Sequence, residues 1–140
     1  MEQRIRDFIH NIIPEADVMF DTNEFCVDIE EKIIHIGTNP DPEGDRLIQE
    51  FVLDEFGVAM DSFLIGVLHE VFHIITYDEE RNEEARILYF MLQMEYDENK
   101  YKEYSEKYFR IPSEYEATKA AVNYYLTFQE ECDAFMDMLR

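Results

Sequence analysis

Two histidines one helical turn apart constrain this chain more than any other feature of its sequence. The stretch His69-Glu70-Val71-Phe72-His73 reads His-Glu-x-x-His, within a segment whose apolar spacing predicts a helix. Residues four apart lie about 40° apart around a helix and about 6 Å apart along it, so both imidazoles project from one face. The pair can bind one zinc ion, and Glu70 is placed to accept a proton from a zinc-bound water.

The rest of this predicted helix, Met60 to Tyr77, is apolar nearly all round. On a helical wheel, one narrow polar face holds both histidines, and aliphatic or aromatic side chains cover most of the remainder. Buried histidines need partners, because an unsatisfied polar group costs free energy. The alternative to a metal is a pair of hydrogen-bonded histidines at the edge of the core. The polar face consists of Ser62, Gly66, His69, His73, Thr76 and Tyr77.

A third metal ligand is expected from another helix. A catalytic zinc site has three protein ligands and one open position, and no third histidine follows at close range. The last predicted helix offers Glu114 and Glu116. On its wheel, Glu114 shares a face with Thr118 and Ala121, whereas Glu116 lies on the opposite, polar face. We therefore expect Glu114 to be the ligand and keep Glu116 as the alternative. Taken alone, Glu114 is also typical of an acid that interacts with the helix dipole in a first turn.

These residues resemble the gluzincin metallopeptidases. The first part of the match is the His-Glu-x-x-His motif, and the second is Glu114-x-x-Ala117-Thr118, within residues 62 to 125. Thr118 stands where the family usually has Asp or Asn, a residue that often supports a histidine ligand. We expect the Thr118 hydroxyl to take that role as a neutral group.

The resemblance implies a function and a set of roles. It implies a zincin-like fold and zinc-dependent hydrolysis of peptide bonds, with His69, His73 and Glu114 as zinc ligands. It implies Glu70 as the general base and acid. It also implies a peptide substrate that lies along an edge strand above the helix that carries the motif.

Hydrophobic spacing along the chain predicts a single α+β domain over residues 1–140. Strands precede most of the helices, which indicates a small antiparallel three-stranded sheet packed on a mostly helical domain. Pro14 ends the first helix, and Pro112 opens one long last helix. The predicted strands lie around Val18 and Phe20, around Phe25 to Ile29, and over Lys32 to Gly37, and the middle helices over Arg46 to Phe56, Met60 to Tyr77, Glu79 to Glu95 and Tyr101 to Tyr108.

Charge limits the classes of partner. The chain has 33 acidic and 12 basic residues, a formal net charge of -21. Such a surface repels nucleic-acid phosphates and anionic membranes, which leaves solubility, a basic peptide or protein partner, or capture of cations. There is no apolar run long enough for a membrane span and no secretion signal, and the two cysteines lie far apart. We therefore expect a cytoplasmic protein with reduced thiols.

Several residues and two rival functions stay open at this stage. Tyr77, Tyr108 and Tyr115 are candidates to donate to an oxyanion, and their spacing does not choose among them. His35 would lie near a substrate if the third strand were an exposed edge; otherwise it is a surface histidine. Cys26 is a conceivable fourth zinc ligand. The rival functions are a non-catalytic zinc-binding or interaction module and an acidic decoy that mimics DNA.

Overall fold

Helices and strands follow one another in the α+β arrangement that the sequence predicts. The computed structural model describes residues 1–37 and 39–140. Within these residues, one three-stranded sheet packs through one face against a mostly helical domain. The elements are α1 (Glu2–Ile12), β1 (Asp17–Thr22), β2 (Cys26–Asp28), β3 (Ile33–Gly37), α2 (Pro42–Phe56), α3 (Ser62–Ile75), α4 (Glu79–Met94), α5 (Tyr101–Phe109), α6 (Pro112–Thr127) and α7 (Gln129–Leu139), with a 3-10 turn at Glu98–Lys100 before α5.

Aspartate side chains cap the helices in the middle of the chain. The carboxylates of Asp41, Asp61 and Asp78 accept backbone N–H groups in the first turns of α2, α3 and α4. Each cap satisfies a donor that has no partner within the helix, and its negative charge suits the helix dipole. Gly57 ends α2 at φ 69°, a left-handed conformation that favours glycine. Both ends of α2 and the starts of α3 and α4 therefore follow from local chemistry.

The sheet is mixed, so the prediction of an antiparallel sheet is wrong. Its strand order is β1-β3-β2: β3 pairs parallel to β1 and antiparallel to β2. The chain reverses between β1 and β2 and again before β3, and β3 then inserts between the other two strands. Ile34 and Ile36 of β3 are 0% and 2% exposed, and a strand this buried occupies the centre, where both of its edges find partners.

The strand order also decides which strand is the edge. His35 lies in the central strand, where it pairs with Met19 and Cys26 across the sheet. Its Nδ1 lies 2.8 Å from Asp21 Oδ1. The third strand is therefore not an edge, so the condition that would bring His35 near a substrate is not met. Strand β2 is the edge strand that contacts α3.

Helix α3 runs through the middle of the hydrophobic core. Leu64, Val67, Leu68 and Val71 are at most 2% exposed and belong to one cluster with residues of α1, the sheet, α2, α6 and α7. Burial of each such side chain contributes about 1.5–3 kcal/mol, so this packing holds the helix firmly. The last residue of the helix, Ile75, is 49% exposed, so the hydrophobic core does not extend to the end of α3.

The predicted long last helix is two helices. The chain bends at Phe128, whose φ and ψ are -122° and 43°, so that α6 ends before it and α7 begins after it. The bend lets α7 pack against α1, where the rings of Phe8 and Phe135 stack with centroids 4.0 Å apart. The hydroxyl of Tyr125 donates to Asp133 across the bend, at 3.0 Å. Phe128 itself is 43% exposed, although a continuous helix would have placed it on the buried face.

Two further features of the described residues concern the cysteines and the lengths of the helices. Cys26 is exposed and Cys132 is buried, and both thiols are free. No helix in residues 1–37 and 39–140 has the length and apolar character needed to cross a membrane.

Candidate metal centre

Three side chains from α3 and α6 converge on one point. The Nε2 atoms of His69 and His73 lie 2.6 Å and 2.9 Å from Glu114 Oε2. The two imidazole rings are perpendicular, with centroids 4.4 Å apart. Ligand atoms of these three residues all lie within 4.8 Å of one another. The structure thus brings together the residues that the sequence predicts as metal ligands.

Close packing of α6 against α3 brings Glu114 to the histidines. Ala117 and Ala121 are fully buried on α6, and their small side chains allow the two helices to approach closely. Glu114 is 4% exposed on the same side of the helix. Glu116 is half-buried and lies outside the group of converging ligand atoms. Of the two candidate glutamates, Glu114 is therefore the one that faces the histidine pair.

Second polar contacts orient two of the three side chains. His69 Nδ1 lies 2.9 Å from the Thr118 hydroxyl, which directs Nε2 towards the carboxylate. The hydroxyls of Tyr89 and Tyr108 both donate to Glu114 Oε1, the second from 3.2 Å. One carboxylate oxygen is thus held by tyrosines while the other faces the histidines. Contacts of this kind fix the orientation of metal ligands.

The pKa values of Glu114 and of the side chains around it depend on one another. Burial acts to raise the pKa of Glu114, but hydrogen bonds from His69 and His73 outweigh it and hold that pKa well below its usual range. Burial acts to lower the pKa of His69, but the hydrogen bond and charge of Glu114 raise it. Burial, followed by the charge of Glu114, raises the pKa of both Tyr89 and Tyr108, so these hydroxyls stay protonated. An ionised carboxylate is therefore surrounded by donors.

The donor set fits a zinc ion. Two imidazole nitrogens and one carboxylate oxygen form a three-ligand set typical of catalytic zinc. Ligand atoms about 2.0–2.1 Å from a tetrahedral metal lie about 3.3 Å from one another. The two imidazole nitrogens now lie 2.6 and 2.9 Å from the carboxylate oxygen, so each pair of atoms would have to move apart by less than about 1 Å to admit the metal. Side-chain rotation supplies a shift of that size. The pKa of His69 is raised by Glu114, so a metal ion bound to its Nε2 would compete with a proton there.

Glu70 lies beside the ligands without joining them. It is 8% exposed and lines a cleft together with His73 and Glu114. Burial raises the pKa of its carboxyl group, and the nearby histidines oppose that shift. A carboxyl group of raised pKa in a cleft is suited to accept and return a proton.

The cleft, which we call the β2 cleft, has a volume of about 230 Å³. Phe25, Cys26, Val27 and Ile29, in and around β2, form one wall, and residues of α3, α4, α5 and α6 complete it. A Cβ added to Gly66 of α3 would lie 3.0 Å from the ring of Phe25, so glycine allows that ring to pack closely against the helix. As β2 is an edge strand, one of its backbone edges has no strand beside it in the described sheet.

The other candidates take different positions. Tyr108 contacts Glu114, and Tyr77 lines the β2 cleft. Tyr115 lies elsewhere, where its hydroxyl donates to Glu55 at 2.9 Å. Cys26 also lines the cleft, but its thiol does not belong to the group of converging ligand atoms, so the structure does not supply it as a fourth ligand.

Sequence reasoning missed Tyr89, which α4 brings to the carboxylate. Two stripes on α4 have the same helical spacing, and each contains large apolar side chains. The structure buries or half-buries the stripe that contains Tyr89 and leaves the other at least 53% exposed. The spacing identifies both stripes but does not choose between them. The inward stripe is Ala85, Leu88, Tyr89 and Leu92, and the outward stripe is Ile87, Phe90, Met91 and Met94.

No protein-family model, curated protein or solved structure matches this chain significantly. The function of the site is therefore inferred from its own geometry and chemistry.

Proposed function

We propose that this protein is a zinc-dependent peptidase, with His69, His73 and Glu114 as metal ligands. The observation that carries the proposal is the convergence of two imidazole nitrogens and one carboxylate oxygen, with Glu70 beside them at an open cleft. If the histidine pair served only to stabilise the fold, it would not need Glu70, a buried acid that lines the cleft beside it. The proposal is also in line with the gluzincin resemblance of the sequence.

The residues around the site have separate roles in this proposal. Bound zinc would polarise a substrate carbonyl and lower the pKa of a coordinated water. Glu70 takes the proton from the attacking water and returns it to the leaving amine. Tyr108 orients Glu114, and Tyr115 is bound elsewhere, which leaves Tyr77 as the candidate donor to the oxyanion.

The β2 strand supports a peptide as the substrate. An extended peptide can add to a free strand edge through main-chain hydrogen bonds, with alternate side chains entering pockets. Val27 lies in the middle of β2, and both it and Glu70 line the β2 cleft. A peptide added along this edge would therefore pass the acid and the metal ligands.

Metal analysis of untagged protein tests the metal site first. We expect about one zinc per chain after purification, and proton release when zinc is added to metal-free protein. Glu114→Gln should weaken zinc binding by at least about 100-fold because a charged ligand is lost. Glu116→Gln makes the same chemical change on the same helix and should leave zinc binding unchanged. Protein that neither holds nor takes up zinc would refute the proposal.

Peptide cleavage tests catalysis separately from binding. We expect Glu70→Gln to keep the zinc and lose at least about 100-fold in kcat, because the proton acceptor is removed. Cleavage of a mixed peptide library, followed by mass spectrometry, provides the readout. If zinc binds but no peptide or protein is cleaved, the non-catalytic zinc module is the better description. Salt-sensitive binding to a DNA-binding protein that is unaffected by His69→Asn would favour the acidic decoy.

A further inference from the structure

A second cavity adjoins the β2 cleft. Its volume is about 570 Å³, and it lies between the turn before β2, the start of α2, and helices α4 and α5. We call it the tyrosine cavity. Phe25 and Tyr108 line both the tyrosine cavity and the β2 cleft, so the two spaces are neighbours. Six aromatic residues line the tyrosine cavity: Phe25, Tyr96, Tyr101, Tyr104, Tyr108 and Phe109.

The charges around the tyrosine cavity are all negative. Glu24, Asp41 and Asp45 line it, and no Lys, Arg or His is among its lining residues. None of these three carboxylates takes part in an ion pair with another described residue. The pKa of Asp45 is raised, first by burial and then by the negative charge of Asp41. A cation placed here would relieve that repulsion.

Aromatic walls and carboxylates together select a particular kind of cation. Ring faces attract an ammonium or guanidinium group, and rings also cover the methylene stem of a long side chain. Tyr96 and Tyr104 both line the cavity and pack edge to face against each other, with an interplanar angle of 79° and centroids 4.9 Å apart. A compact metal ion would use the carboxylates but gain little from the rings. The lining therefore favours a lysine or arginine side chain.

A peptide bound along the edge of β2 would reach the tyrosine cavity. Val27 of β2 lines the β2 cleft, as does the ligand Glu114. Glu24 and Phe25, which immediately precede β2, line the tyrosine cavity, and Phe25 lines the cleft as well. A strand advances about 3.3 Å per residue, so a peptide along this edge reaches the tyrosine cavity about two to four residues from the metal. One side chain of such a peptide, a few residues from the bond at the metal, could therefore enter the tyrosine cavity.

We propose that the tyrosine cavity binds a lysine or arginine side chain of the peptide substrate, about two to four residues from the cleaved bond. This assignment rests on the proposed function, because it names the substrate class of the same site. It also gives the net charge of the chain a local role, since the carboxylates at the tyrosine cavity would select the basic residue directly.

Binding of matched peptides tests the assignment without any cleavage. The zinc-loaded Glu70→Gln variant is titrated with peptides that differ at one position, which carries lysine, norleucine or glutamate. Norleucine keeps the stem of lysine and removes its charge. At the preferred position we expect lysine to bind about tenfold more tightly than norleucine, and less so as salt is raised. Equal binding of the lysine and norleucine peptides at every position would overturn the proposal.

Neutral variants of the three lining acids distinguish a local effect of the tyrosine cavity from an effect of the net charge of the chain. In the triple variant Glu24→Gln, Asp41→Asn and Asp45→Asn, we expect the lysine preference to fall below about threefold. Asn keeps the ability of position 41 to cap α2, which protects the fold. Circular dichroism and thermal melting check that this variant is folded.

A control triple variant makes the same change in net charge away from both cavities. Glu2→Gln, Asp7→Asn and Glu130→Gln replace exposed acids on α1 and α7, and we expect the lysine preference to stay within about twofold of the parent. An equal loss in both triple variants would show that general charge acts, and would overturn the assignment.

An aromatic variant and the metal measurements complete the test. Tyr96→Leu removes a ring that is 48% exposed, so it should fold normally and reduce the lysine preference about two- to fivefold. Unchanged preference in Tyr96→Leu would refute the aromatic part of the proposal. A protein that binds lysine peptides but no zinc would refute the proposed function alone. If the protein binds zinc and cleaves peptides but shows no preference for lysine or arginine, only the assignment of the tyrosine cavity is refuted.

Discussion

Replacing Thr118 with valine tests whether the site is built to hold a metal. The change keeps the shape of a side chain that is 1% exposed and removes the hydroxyl 2.9 Å from His69 Nδ1. Loss of such an outer contact lowers metal affinity by about 10- to 100-fold, equal to about 1.4–2.7 kcal/mol. The metal-free protein should also lose about 1–3 kcal/mol in its free energy of unfolding, because the buried nitrogen loses its partner.

Two measurements and two controls make this prediction sharp. Competition with a chromophoric chelator gives the zinc Kd, and urea unfolding gives the stability of the metal-free protein. Thr118→Ser keeps the hydroxyl and should stay within about threefold of the parent zinc affinity. Thr127→Val removes an exposed hydroxyl that donates to the Asn123 carbonyl in the same helix, and should change neither quantity much. If Thr118→Val binds zinc as tightly as the parent, or Thr118→Ser loses as much as valine, the orienting role is wrong.

Three further predictions use other contacts. Burial raises the pKa of both thiols, that of Cys132 to about 11, but only Cys26 is exposed. A maleimide at about pH 8 should therefore modify Cys26 in the folded protein and Cys132 only on unfolding; two equally fast thiols by mass spectrometry would contradict this. Gly66→Leu should displace the ring of Phe25 and cost about 1–3 kcal/mol in urea unfolding, whereas Gly66→Ala, which gains helix propensity, should cost less than about 1 kcal/mol. Tyr89→Phe removes one of two hydroxyls from the buried carboxylate and should lower stability by about 1–2 kcal/mol in thermal melts; an unchanged melting temperature would contradict it.

The candidate site was predictable because its residues depend on local helical spacing. His69 and His73 are four residues apart, and any helix through them places both imidazoles on one side. The inward direction of Glu114 followed from the apolar and small residues that share its face on α6. These two predictions needed only one helix each and the side of it that is buried. The contact of Thr118 with His69, in contrast, was expected from the family resemblance, and the structure places the two atoms 2.9 Å apart.

The parts that were wrong depend on contacts between distant segments. Strand spacing does not reveal which strand lies in the centre, so the parallel pairing of β1 with β3 was missed. The bend at Phe128 has no proline or glycine to mark it, and packing of α7 on α1 explains it. Tyr89 lay on one of two equivalent stripes of α4, and only docking against α5 and α6 selected the inward one.

By itself, the sequence determined the helix that carries the histidine pair and the acids that face it, because a regular helix converts spacing into direction. Tertiary structure alone decided that β2 borders the cleft, that two tyrosines hold the carboxylate, and that aromatic and acidic residues from four segments enclose the tyrosine cavity. The physical reason is that spacing specifies which side of an element is apolar. The element that covers that side is chosen by packing of the whole chain.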